Sequence, residues 1–246
     1  MSKSSMQLDQ ARKKIRASIL QTPPDEMPAL IGVGASAGGL EALRLMVGSI
    51  KNLSNASIVV VQHLSPQHRS MLVDLISRET SLTVKEVENG TRPQNGMIYI
   101  TPPNTNVLYS NGELVLRKPT PGVGPKPSVN LFFESLAEEL GEAAVGVILS
   151  GTGSDGSRGM RAIKAAGGVT LAQTAESAKY DGMPVAAIES GAVDIVADAE
   201  EIGRELGRIG RYQYRENRVS PTQIEVDDPY LARFAKVKGA FGVDFL

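Results

Sequence analysis

Ile58-Val59-Val60-Val61 constrains this chain more than any other stretch. Four successive β-branched side chains suit a pleated strand and fit a helix poorly. The run shows no apolar/polar alternation, so both of its faces must be covered, as in a buried strand of a parallel sheet. Residues 30–33 and 144–149 are similar apolar runs, and segments of helical period lie between such strands. Residues 40–50 place Leu40, Leu43, Val47 and Ile50 near one helix face. Ser65-Pro66 reads as an N-cap and first-turn proline before a helix burying Leu72, Leu75 and Ile76. Ser128 can cap a helix that buries Val129, Phe132, Leu136 and Leu140. Strands are expected at 169–172 and 192–196, and helices at 159–166, 184–190 and 198–209. The last of these is acidic early and arginine-bearing late, as the helix dipole favours.

The implied fold class is α/β: a doubly wound, mostly parallel sheet with helices on both faces. Residues 82–87, 97–100, 107–109 and 114–116 are short strand-like runs, and Asn111-Gly112 is a strong hairpin signal. A small antiparallel hairpin excursion is therefore expected around residues 97–116. Residues 118–127, rich in proline and glycine, read as a connecting loop. Three stretches organise the chain: a polar lead-in over 1–28, a core over 29–197, and a C-terminal helix and linker over 198–246.

Composition narrows the function classes. A formal net charge of −1 argues against bulk electrostatic binding of nucleic acid or anionic membrane. The absence of cysteine excludes disulfides, thiol nucleophiles and cysteine-ligated metals. No apolar run approaches the roughly 20 residues needed to span a bilayer, and no apolar signal-peptide core is visible at the N-terminus. A cytoplasmic protein without membrane insertion is the expectation.

Gly34-Ala35-Ser36-Ala37-Gly38 joins the first strand to the first helix. Gly-x-Ser-x-Gly in a strand–turn–helix context is a candidate nucleophile turn, with free N–H groups and the helix dipole favouring developing negative charge. Sites in open α/β sheets form beyond the carboxyl ends of strands. His63 falls just past the β-branched run, and Asp155 follows the strand ending at Leu149 across a glycine-rich loop. Serine, histidine and aspartate are the groups that acyl transfer uses. Taken singly, Ser36 and Asp155 could each simply cap a helix, and His63 could be a satisfied strand-end residue. His68, the other histidine, reads as a surface or packing residue, and a zinc site from the pair would need further ligands. Gly32-Val33-Gly34-Ala35-Ser36-Ala37 also fits a loose dinucleotide-binding pattern. That pattern calls for an acid at the end of the second strand. None occurs between Glu41 and Asp74, so this reading ranks below ester hydrolysis.

Three segments resemble the catalytic domain of the chemotaxis receptor protein-glutamate methylesterases. They are Ile31-Gly32-Val33-Gly34-Ala35-Ser36-Ala37-Gly38-Gly39, Val60-Val61-Gln62-His63 and Leu149-Ser150-Gly151-Thr152-Gly153-Ser154-Asp155-Gly156. Asp181-Gly182-Met183-Pro184 and residues 187–191 also match, so the likeness runs over about 29–196 in the family's order. The resemblance implies a Ser36–His63–Asp155 triad and oxyanion-adjacent positions at Ala37 and Thr152. It implies hydrolysis of glutamate γ-methyl esters on chemoreceptor cytoplasmic helices, or on a related signalling protein, releasing methanol. Some members also deamidate glutamines; no metal or cofactor is implied. Better-known members carry threonine at the place of Ala37 and methionine at that of Thr152. A backbone donor survives such changes, whereas a side-chain hydroxyl at position 37 does not. The wording around His63 and Asp155 is closer to hybrid proteins, and Phe241-Gly242-Val243-Asp244-Phe245 resembles the start of their methyltransferase domain. A methyltransferase domain elsewhere in a longer chain is the corresponding expectation. The alternative expectation is a catalytically silent signalling module of such a hybrid.

Overall fold

The computed structural model describes residues 29–63, 71–119 and 126–210. Among these, the order is β1 (Ala29–Ala35), α1 (Gly39–Gly48), β2 (Ala56–Gln62), α2 (Leu72–Ser77), β3 (Thr83–Glu86), β4 (Met97–Ile100), β5 (Asn106–Ser110), β6 (Glu113–Arg117), α3 (Val129–Leu140), β7 (Ala144–Ile148), α4 (Ser157–Ala165), β8 (Val169–Gln173), α5 (Gly182–Glu189), β9 (Ile195–Ala197) and α6 (Ala199–Ile209). Seven strands form one parallel sheet in the order β3-β4-β2-β1-β7-β8-β9. The chain winds outward from β1 through β2, then returns to β7 on its other side. The carboxyl ends of β1, β2 and β7 therefore border the place where winding reverses, the favoured ligand crevice of open α/β sheets.

The doubly wound, mostly parallel fold expected from the sequence is present, with one correction. The antiparallel excursion consists of β5 and β6, with one further antiparallel bridge from Thr91 to Leu114. Met97–Ile100 lies instead in the main sheet, parallel to both β2 and β3. All of its residues are buried, as in β2, because helices or the hairpin cover both faces.

Alternate residues of the central strands feed two cores. On one face Ile31, Val33, Ile58 and Val60 pack with Leu43, Met46, Leu72, Ile202 and Leu206 from α1, α2 and α6. On the other, Val59, Val61 and Ile148 pack with Phe132, Phe133, Met160, Ile163 and Met183 from α3, α4 and α5, and the hairpin adds Val107, Tyr109 and Leu114. Gly32 and Gly34 bring α3 close. A Cβ at Gly32 would stand 2.8 Å from both Leu136 Cδ1 and Phe133 Cε1, and one at Gly34 would meet Val129 and Ile148. These two glycines serve the packing of a helix.

Local departures have identifiable causes. The buried stripe of α1 is Ala42, Leu43, Met46 and Val47, so Leu40 falls at its edge and is exposed. Leu75 and Leu140 are half-buried at the margins of their helices. The strand expected at 192–196 runs over Ile195–Ala197. Before it, the Asp194 carboxylate accepts from Thr170 N and Oγ1 at 3.0 and 2.8 Å and pairs with Lys164, so a side chain holds the chain there. The cap at Ser128 is present and accepts from Leu131 N at 3.4 Å. In α6, Asp198 caps the start and Arg208 occupies the last turn. The lead-in over 1–28, Ser65-Pro66, His68, most of the 118–127 loop and residues 211–246 lie outside the described residues. No helix among the described residues is long and apolar enough to cross a membrane.

Substituting Gly32→Val should lower unfolding free energy by about 1–3 kcal/mol, because side-chain volume added against α3 cannot be absorbed without strain. Urea unfolding of the variant, with the denaturant slope unchanged, is the check.

Candidate active site

Sheet register delivers Ser36 and His63 side by side. Ala35 and Gln62 are partners at the carboxyl ends of β1 and β2, so the next residue of each strand leaves the sheet at the same level. His63 N donates to Ala35 O at 3.0 Å, and Ser36 N donates to Ser150 O at 3.0 Å. The serine backbone is thereby held between the ends of β2 and β7. Gly151 presses on the same turn, where an added Cβ would stand 2.9 Å from that of Ser36.

Asp155 and His63 meet directly. His63 Nε2 lies 3.0 Å from Asp155 Oδ2, with the two side chains 12% and 3% exposed. The same carboxylate accepts from Val129 N at 2.8 Å, Asn130 N at 3.1 Å and Gly156 N at 3.1 Å, with Ser128 Oγ at 3.5 Å. Asp155 thus sits at the N-terminus of α3, where orphan amides and the helix dipole stabilise an anion. Burial pushes its pKa up. The hydrogen bond from His63 and the amides of Val129 and Asn130 outweigh that, and the net shift is downward from the ordinary value. The bland reading, that Asp155 caps its own helix, is correct only in part: most of its bonds go to α3.

An ionised Asp155 fixes the histidine tautomer. It accepts from Nε2–H, which leaves the Nδ1 lone pair as the basic site of a neutral ring. Neither Ser36 Oγ nor His63 Nδ1 hydrogen-bonds to a described residue. Of the three residues singled out from sequence, the structure therefore bonds His63 to Asp155 and sets Ser36 beside them through the backbone. Serine–histidine bonds are often long before substrate arrives.

The two oxyanion-adjacent residues differ in setting. Ala37 is half-buried, and its N–H donates to no described residue. Its carbonyl accepts from Ser150 Oγ at 2.9 Å. Thr152 is exposed, and its N–H likewise donates to no described residue. Gly151 anchors that loop by donating to Tyr180 O at 2.9 Å and accepting from Met183 N at 2.8 Å. Among the described residues, no group of three or more His, Asp or Glu side chains could hold a metal.

Several supporting residues escaped the sequence reading. Asn130 Oδ1 accepts from Gly156 N at 3.1 Å and Gly159 N at 2.9 Å, capping α4 while its own N–H caps onto Asp155. Buried Ser150 bonds to Ala37, Tyr180 and Gln173. Gln62 Nε2 donates to Ser36 O at 2.7 Å. An asparagine two residues after a capping serine was the one available signal; the others depend on contacts between distant segments.

Comparison with known proteins identifies the family. The family model for CheB methylesterase matches residues 31–206. The chain belongs to the CheB methylesterase family. It is similar to the protein-glutamate methylesterase/protein-glutamine glutaminase of Photorhabdus laumondii, at 39% identity over 181 residues, which is 72% of this chain and 51% of the relative. A counterpart from Myxococcus xanthus is 35% identical over 76% of this chain and 55% of its own length. The chain thus spans little more than half the length of these curated relatives. The crystal structure of the Thermotoga maritima CheB methylesterase catalytic domain matches with a TM-score of 0.69 and 31% identity, over 74% of this chain and 98% of that one.

The depressed Asp155 pKa gives a stability signature with a definite sign. The contribution is fully present above the unfolded-state value of about 3.9 and is lost as pH falls through the lower folded-state value. Asp155→Asn should therefore cost about 1–3 kcal/mol at pH 7, with the gap to wild type closing on acidification below pH ~4. Denaturant melts of both proteins across pH 2–7 would measure it; a gap independent of pH would contradict the assignment.

Proposed function

We propose that this chain hydrolyses glutamate γ-methyl esters on chemoreceptor cytoplasmic helices, and deamidates receptor glutamines at the same site. The observation that carries the reading is the His63–Asp155 hydrogen bond at the sheet's switch point, beside Ser36, in a chain of the CheB family. Ser36 Oγ attacks the γ-carbonyl carbon while its proton passes to His63 Nδ1. Asp155 holds the ring and stabilises the imidazolium. The carbonyl oxygen becomes an oxyanion beside the Ala37 N–H, the residue after the nucleophile being the usual donor in such turns, with the Thr152 N–H as second donor. The carbon–methoxy bond then breaks, and His63 returns the proton so that methanol leaves. Water repeats the sequence on the seryl ester and releases the glutamate carboxylate. With a glutamine substrate, ammonia is the leaving group.

Both oxyanion donors in this scheme are backbone groups, so alanine at 37 and threonine at 152 are compatible with it. The Photorhabdus and Myxococcus relatives carry both activities in their names, which supports the deamidase half. A methyltransferase domain in the same full-length chain is part of the proposal and rests on the likeness of residues 241–245 to such a domain. A cytoplasmic setting follows from receptor helices as substrate.

Ser36→Ala and His63→Ala should abolish methanol release from a methylated chemoreceptor cytoplasmic fragment. Asp155→Asn should reduce kcat by about 10⁴, as loss of the aspartate does in serine proteases. Methanol assays on the folded variants decide it, and full turnover by Ser36→Ala would reject the mechanism.

A further inference from the structure

We propose that Gln62 is a positioning residue that aims the Ala37 N–H, acting through the Ser36–Ala37 peptide. The inference rests on the methylesterase reading above and gives a role to a residue that neither attacks nor titrates. Gln62 ends β2 and is 5% exposed. Its Nε2 donates to Ser36 O at 2.7 Å, and Gly39 N donates to the same oxygen at 2.9 Å. The Ser36–Ala37 peptide is trans. A planar trans peptide places its carbonyl and the following N–H on opposite sides. Holding the Ser36 carbonyl toward Gln62 and Gly39 therefore turns the Ala37 N–H away from them. From the end of β2 the Gln62 side chain reaches Gly39 at the start of α1, whereas His63 reaches Asp155 at the start of α3. The Ala37 N–H is thus turned away from the Gln62–Gly39 side, and it is not consumed by any described residue.

Stability does not account for an amide at this position. Gln62 Oε1 is buried and has no hydrogen-bond partner among the described residues. A methionine of similar length would fill the space with no orphaned oxygen. The surroundings also make room for the amide: a Cβ at Gly39 would stand 2.8 Å from Oε1 and 3.1 Å from Nε2. What the amide supplies is its nitrogen, and that nitrogen holds the peptide plane next to the nucleophile.

The test compares Gln62→Met and Gln62→Glu with wild type and Ser36→Ala in the 246-residue chain, using methanol release from a methylated chemoreceptor cytoplasmic fragment. Losing an oxyanion donor outright costs about 10²–10³ in kcat, so loosening one by Gln62→Met should cost about 10-fold or more. KM and the pH dependence should stay as in wild type, because substrate contacts and the His63–Asp155 pair are untouched. Gln62→Glu is the rescue. A buried carboxyl facing a carbonyl stays protonated and donates as the amide did. This variant should keep most of the wild-type kcat near neutrality and lose it at higher pH as the carboxyl ionises, a descending limb that wild type lacks. Wild-type kcat in Gln62→Met would overturn the inference while leaving the hydrolase reading intact if Ser36→Ala is dead. If Gln62→Met fails to fold, a folded Gln62→Glu without the high-pH limb overturns it equally. Turnover by Ser36→Ala, or none by wild type, would overturn both.

Discussion

The carboxylate of Asp155 is the junction on which this site depends. It takes the His63 ring, the first amides of α3 and the amide of Gly156 into one buried cluster. A charge removed from water is costly unless hydrogen-bonded, and here the orphan N–H groups of a helix terminus do the solvating. The arrangement needs α3 to lie close against the sheet. Gly32 and Gly34 permit that approach, and the aromatic pair Phe132 and Phe133 fills the space behind them. Core packing and site chemistry therefore share one helix.

Parallel register does the remaining alignment. Because β1 and β2 end on paired residues, the side chains that follow emerge together without any dedicated scaffold. The segment just past β7 adds Ser150, whose carbonyl and hydroxyl tie the serine turn to the loop carrying Asp155 and to Tyr180. At Ala37 and Thr152 the backbone N–H groups donate to no described residue, which leaves them available for the oxyanion role proposed above.

Much of this was legible in sequence, for physical reasons that also mark the limits. The β-branched run of β2 announced a strand covered on both faces, and the glycine pattern after β1 marked the turn that carries Ser36 to the carboxyl edge of the sheet. The run over Met97–Ile100 carries the same signature as β2, yet its nearness to the Asn111-Gly112 hairpin suggested the wrong sheet; pairing partners are not encoded locally. Ser36, His63 and Asp155 stood out as candidates because few residue types at strand ends suit acyl transfer, and the structure joins the last two of them. Gln62, Asn130 and Ser150 did not, because amides and hydroxyls are ordinary at such places until distant segments meet. The drift of β9 has the same origin: the Asp194–Thr170 contact that shifts it joins two strands.

Asn130 and Asp155 exchange caps: Asp155 binds the first amides of α3, and the Asn130 side chain binds those of α4. The two helix ends consequently form a single cooperative unit. Neither can fray without releasing the other, and either event would free the carboxylate that orients His63. Local unfolding of these helices and loss of the site's geometry are then the same event, so the free energy that protects one protects the other.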